Sequence, residues 1–142
     1  VKKWIITVLR ISAGIYMLQQ GIEKMTGDFH VESLTDVIEM NTDSPIWYKM
    51  FFVAVIAPLY PLFNILIPLG EILIGISLII GNLSFIASLF GIFIMLNYIW
   101  ADMIYTYPLQ LLIFIILVMN KAVIEQFTVT NIINKLIKKH NN

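Results

Sequence analysis

LFNILIPLGEILIGISLII, residues 62–80, is apolar from end to end apart from Asn64, Ser77 and one carboxylate, Glu71. About 20 such residues in a helix cross the hydrocarbon core of a bilayer. A carboxylate in the middle of such a run costs about 3 kcal/mol on insertion scales, so it is expected to be paired, to face a cavity, or to do work. The segment therefore predicts both a membrane-spanning helix and the place to look for function.

Three further apolar runs flank it. Residues 4–22 form the first, residues 83–101 the third and residues 104–120 the fourth, with 62–80 second. Gly81-Asn82 supplies a tight turn between the second and third, and Pro108 suits the first turn of the last helix. The whole chain of 142 residues is 59% hydrophobic and only 13% charged, and its mean hydropathy is +0.87. A water-soluble domain of this size has too little interior to hide that much apolar surface. The fold class expected is all-α: an integral membrane four-helix bundle, with residues 1–122 as the membrane domain and 123–142 as a basic tail. The first run resembles a signal peptide in position, but Arg10 and Gln19-Gln20 within it, and the spans that follow, argue for a retained helix.

Basic residues set the expected orientation. Lys2 and Lys3 precede the first span, and Lys121, Lys135, Lys138 and Lys139 follow the fourth. Four spans put both termini on one side, so both are expected to be cytoplasmic in a cell membrane. The connection 23–60 then faces outward, and it is acidic: Glu23, Asp28, Glu32, Asp36, Glu39 and Asp43 against Lys24 and Lys49. Glu32, Asp36, Glu39 and Asp43 fall on one helical face, which predicts a short amphipathic helix over the outer mouth. Asp43-Ser44-Pro45 has the form of an N-cap followed by a helix start. Residues 47–59 are apolar and aromatic but short, as an interfacial or re-entrant segment would be. In the tail, Val129, Ile132, Ile133, Leu136 and Ile137 share one face and Asn131, Asn134, Lys135 and Lys138 the other, predicting an amphipathic helix on the cytoplasmic leaflet.

Inside the spans the polar and small residues line up at helical spacing. Arg10, Gly14, Met17, Gly21 and Lys24 share a face of the first span. Asn64, Pro68, Glu71, Gly75 and Leu78 share one in the second. Ser88, Gly91, Met95, Tyr98 and Asp102 do so in the third. These stripes are expected to converge in the bundle interior. The glycines permit close helix approach or leave room for a ligand or water. Arg10 and Glu71 lie at compatible depths, given the reach of an arginine, and are expected to pair. Such a pair is able to lock two helices together, to hold a quinone head group or to relay a proton. Lys24 and Asp102, both near the outer boundary, form a candidate second pair.

Several chemistries drop out. Net charge is zero, which gives no footprint for nucleic acid. With no cysteine, disulfides, thiolate chemistry and iron–sulfur clusters are excluded. His30 and His140 both lie outside the spans, so a bis-histidine haem within the membrane is excluded and no metal site is expected.

The same residues resemble the DoxX/DoxD family of small four-helix membrane proteins. The match runs through Arg10, Gly14 and Gly21-Ile22-Glu23-Lys24. It continues through Leu69-Gly70-Glu71-Ile72-Leu73-Ile74-Gly75-Ile76-Ser77-Leu78 to Gly81, and more weakly through Leu96-Asn97-Tyr98 and Asp102. DoxD is the small-subunit type of a thiosulfate:quinone oxidoreductase, so the resemblance implies quinone-associated redox work. On this reading Arg10 and Glu71 are the catalytic candidates, and Gly14, Gly21, Lys24, Gly75, Tyr98 and Asp102 line the quinone pocket. A soluble or membrane partner protein supplies the electrons, and self-association is left open. A non-catalytic membrane scaffold is the alternative, followed by a small-solute or proton channel.

Overall fold

A long first helix, α1 (Lys2–Thr26), lies antiparallel to α4 (Tyr60–Ile80) in the computed structural model, which describes residues 2–142. Two glycines set how closely they pack. A Cβ added at Gly75 would lie 2.6 Å from the Leu18 nitrogen and 2.7 Å from the Gly14 oxygen, and one at Gly14 would lie 2.9 Å from the Gly75 oxygen. Backbone meets backbone there, which only glycine permits. Next along are α5 (Ser84–Trp100) and α6 (Tyr107–Met119), which pack on each other and on the first pair. Met17, Leu78, Met95, Phe114 and Leu117 fill the shared core. No strand occurs among the described residues.

Boundaries follow local chemistry. Gly81, at φ +87°, ends α4 in the left-handed conformation and donates its N–H to the Ser77 carbonyl at 2.8 Å, as a helix C-terminus requires. Asp102 does the same for α5, at φ +63°, with the Met103 N–H returning to the Tyr98 carbonyl at 2.9 Å. The fourth helix is shorter than the apolar run predicts. The turn before Tyr107 and the break at Asn120 confine α6 to 13 residues, about 20 Å at 1.5 Å per residue. A short helix, α7 (Lys121–Ile124), continues it. Two helices, α1 and α4, are long and apolar enough to cross a membrane.

In the connection between α1 and α4 the expected amphipathic helix over 32–43 is shorter and starts as a 3₁₀ turn, and the apolar segment after it is helical. A 3₁₀ turn (Val31–Leu34) leads into α2 (Thr35–Met40), then α3 (Ile46–Phe51), which opens into a π-helical turn at Phe52–Ile56. Val31, Ile38, Tyr48, Phe52 and Ile56 form their own buried cluster with Ala101. The expected cap at Asp43 is not formed. Asn41 instead closes the turn, accepting from the Ser44 N–H at 2.9 Å and donating to Ser44 Oγ at 2.8 Å, and Lys49 donates to the carbonyl of Asn41. An asparagine presents both acceptor and donor, so it ties both ends of the loop.

The tail helix is present as expected. Thr128 caps α8 (Val129–His140), its hydroxyl accepting from the Asn131 N–H at 3.1 Å. No residue of α8 is buried.

Candidate functional site

Lys24 stands on the last turn of α1, Glu71 in the middle of α4 and Tyr98 near the end of α5. Their side chains converge. The Lys24 ammonium donates to Glu71 Oε1 at 2.7 Å and to the Tyr98 hydroxyl at 2.8 Å. Tyr98 in turn donates to the same Glu71 oxygen. Glu71 is 0% exposed and the Lys24 side chain 19%. The ammonium also lies 4.6 Å from the Tyr98 ring centroid and 5.7 Å from that of Phe29, close enough for cation–π attraction. Donors and acceptors can be balanced here. A lysine carries three N–H donors, and two are spent within the triad. Glu71 Oε2 is buried without a partner.

The register of the glycine seam explains this pairing and overturns the expected one. Gly14 sits against Gly75 and Leu78, and Gly21 against Pro68 and Ile72. Antiparallel helices in that register carry Arg10 to Gly81, whose added Cβ would lie 2.8 Å from the Arg10 guanidinium, and Lys24 to within a turn of Glu71. Gly81 and Glu71 are about 15 Å apart along α4 at 1.5 Å per residue, beyond the reach of an arginine. Arg10 instead donates to the Ile124 carbonyl at 2.7 Å, which also accepts from Ser84 Oγ at 3.2 Å. Arg10 is 2% exposed and clasps α1 to the α4–α5 turn and α7. Nor does Lys24 meet Asp102. It turns inward to Glu71, and Asp102 makes the turn after α5.

The other anticipated residues take different places. Gly14, Gly21 and Gly75 sit in the α1–α4 seam against neighbouring atoms. Tyr98 and Lys24 line an apolar chamber of about 400 Å³, within the range of small-molecule sites. Glu71 lies behind them and orients both. The chamber wall is largely aromatic: Phe29, Tyr48, Phe52, Phe63, Phe93 and Tyr107 are among its residues, with the Tyr98 and Tyr107 rings 4.5 Å apart. On the other side of Lys24 a polar vestibule of about 540 Å³ is lined by Gln19, Gln20, Glu23 and Asp28. Lys24, Phe29 and Tyr107 belong to both walls.

Much of the chamber comes from the α1–α4 connection, which sequence reasoning treated as a cover. Its signal was the aromatic content of residues 47–52. The floor of that cover is tied to α4 by Asn64. Asn64 accepts from the Val31 N–H at 2.6 Å and donates to Glu32 at 2.8 Å. The Asn64 amide, a backbone hydrogen bond and His30, 3.2 Å away, hold the Glu32 carboxylate below its ordinary pKa.

The family model that matches the chain is DoxX, over residues 5–102. The chain belongs to the DoxX family. The matched stretch contains every member of the triad and the whole connection, and it ends at Asp102. No curated protein and no solved structure matches the chain.

The chamber presents an aromatic, apolar wall, and beside it the Lys24 ammonium keeps one N–H unspent. Among the described residues, no group of three or more His, Asp or Glu side chains is placed to ligate a metal.

Proposed function

We propose that this DoxX protein spans the cell membrane as a four-helix bundle with both termini cytoplasmic, and binds a membrane quinone as the quinone-associated subunit of a redox assembly. The spans are α1, α4, α5 and α6 extended by α7. Lysines cluster at the end that carries both termini, and acidic residues dominate the connection at the other end, in keeping with the charge rule for cytoplasmic loops.

The observation that carries the reading is the Lys24 ammonium, held by a buried carboxylate at the mouth of an apolar aromatic chamber. A bound quinone supplies two-electron, two-proton redox chemistry. Lys24 is the residue that would donate a hydrogen bond to its carbonyl oxygen, as a preorganised donor. Glu71 keeps Lys24 aimed and fixes the Tyr98 hydroxyl. The aromatic walls give the chamber side of Lys24 an apolar surround, while the vestibule side reaches solvent. The chain carries no cysteine and neither histidine lies in a span; on this reading the electrons are exchanged with a bound organic carrier or a partner protein.

A scaffold reading draws on a different observation, that the glycine seam and the Arg10 clasp hold the helices together. The two readings separate on solvent extraction and mass spectrometry of protein purified in mild detergent. The quinone reading expects stoichiometric quinone in the wild type and its loss in Lys24→Met. Absence of quinone from the wild type would leave the scaffold.

A further inference from the structure

α8 stands outside the bundle: none of its 12 residues is buried. Only its start is held. Thr130 Oγ1 accepts from the Asn82 amide at 2.7 Å, and the Asn131 amide donates to the Gln126 carbonyl at 2.9 Å. Just before the helix, Phe127 stacks on Trp4 with ring centroids 5.3 Å apart. Trp4 lies in the first turn of α1, and Asn82 makes the turn between α4 and α5. The first turn of α8 is therefore level with the ends of the spans. Trp4, 65% exposed, is of a residue type that favours the boundary between hydrocarbon and water.

Beyond that turn the two sides of α8 differ. Val129, Ile132, Ile133, Leu136 and Ile137 share one side at helical spacing, and each is between 43% and 61% exposed. Asn134, Lys135 and Lys138 take the other side, with Lys139 at the border. Four courses are open to such a helix. Spanning the bilayer takes about 20 apolar residues, and α8 has 12 with three lysines among them. Projecting into water leaves the whole stripe hydrated, and an isolated helix below about 12–15 residues is marginal on its own. Pairing with a second copy is disfavoured by length, since the stripe is shorter than two heptads where a coiled coil takes about three or four. Lying along the membrane surface sinks the stripe into the acyl boundary and turns the lysines to the head groups.

We propose that α8 docks on the cytoplasmic leaflet and recognises anionic phospholipid there, the partner being the lipid surface itself. Charge complementarity carries the choice of lipid. At this end Lys2, Lys3, Lys121, Lys135, Lys138 and Lys139 stand against Glu125, and each lysine near an anionic surface strengthens attachment about fivefold. Arg10 sets the height. By holding the Ile124 carbonyl it fixes the level at which the chain leaves the bundle for α8. The proposal rests on the four-span placement and is independent of the quinone.

The chain has no cysteine, so a single introduced cysteine can carry a spin label in the full-length protein. The variants are Leu136→Cys on the apolar stripe, Asn134→Cys on the polar side and Leu112→Cys on the exposed face of α6. Each is reconstituted into nanodiscs of phosphatidylcholine with and without phosphatidylglycerol. Power saturation then reads the label's accessibility to oxygen and to an aqueous nickel chelate. In the anionic discs the Leu136 label is expected about 5–10 Å below the head groups, open to oxygen and shielded from nickel, with the Asn134 label open to nickel. Removing phosphatidylglycerol, or combining Lys135→Gln, Lys138→Gln and Lys139→Gln, is expected to return the Leu136 label to water. Nickel reaching both α8 labels alike in anionic discs would overturn the docking. Shielding indifferent to lipid charge would overturn the anionic preference. Spin–spin coupling between labelled copies that persists without anionic lipid would overturn the lipid partner and assign the stripe to a second copy. Leu112 separates the failures: a label there open to nickel would overturn the four-span placement, whereas one in hydrocarbon beside an aqueous Leu136 would overturn the α8 docking alone.

Discussion

Replacing Lys24 by Met keeps the length and apolar stem of the side chain and removes its charge. Glu71 then stays fully buried with Tyr98 as its remaining partner. Breaking a buried ion pair from one side costs about 3–5 kcal/mol, because the surviving charge is left uncompensated. With Lys24 19% exposed, solvent softens the penalty, and about 3 kcal/mol is the expected loss. Glu71→Gln removes the other charge and strands an ammonium that reaches solvent through the vestibule, so it is expected to cost less, about 2 kcal/mol. The double variant buries no unpaired charge and is expected to recover part of the sum, giving a coupling of about 2 kcal/mol. The assay is equilibrium unfolding in detergent, carried out as a double-mutant cycle. The parallel cycle of Arg10→Met with Glu71→Gln is expected to be additive within about 0.5 kcal/mol, because those residues share no partner. Additivity for Lys24 with Glu71, or strong coupling for Arg10 with Glu71, would refute the register derived from the glycine seam.

Gly75→Ala places a methyl carbon 2.6 Å from the Leu18 nitrogen and 2.7 Å from the Gly14 oxygen, so the two helices must separate; a loss of about 3 kcal/mol is expected in the same unfolding assay. Arg10→Met deletes the bond to the Ile124 carbonyl, and is expected to raise hydrogen exchange and proteolysis in α7 and α8 while leaving quinone content unchanged. Glu32 binds protons less readily when folded than its ordinary pKa dictates. Its contribution to stability is therefore complete above the ordinary carboxylate range and is lost as pH falls through its lowered folded value. Protection factors over the Val31–Leu34 turn, taken relative to the intrinsic exchange rate at each pH, should fall on that acidification, and Glu32→Gln should flatten the dependence.

The helices and their polar stripes were legible because lipid-exposed apolar surface and expensive buried charge leave strong marks in a sequence. Glu71, Lys24 and Tyr98 all stood out on that basis. Which charge met which was not legible. It depends on the register of two antiparallel helices, and a single sequence carries no direct measure of it; the seating of Gly14 on Gly75 decides it. Asp102 illustrates another limit. It lies on the same face as Tyr98 by helical spacing, but its left-handed backbone turns the chain at that point and ends the face. The chamber was the least legible part. Ile38, Tyr48 and Phe52 belong to short helices whose local periodicity is weak, and their burial comes from tertiary contact with Ala101 and α4.

Photolabelling with an azidoquinone, followed by mass-spectrometric mapping of the adducts, tests the central claim most directly. Binding beside Lys24 predicts adducts concentrated on chamber residues such as Phe52, Phe63 and Phe93, suppressed by unlabelled quinone and lost in Lys24→Met. Adducts scattered over exposed positions such as Ile65 and Leu112, unaffected by competitor or by Lys24→Met, would contradict it.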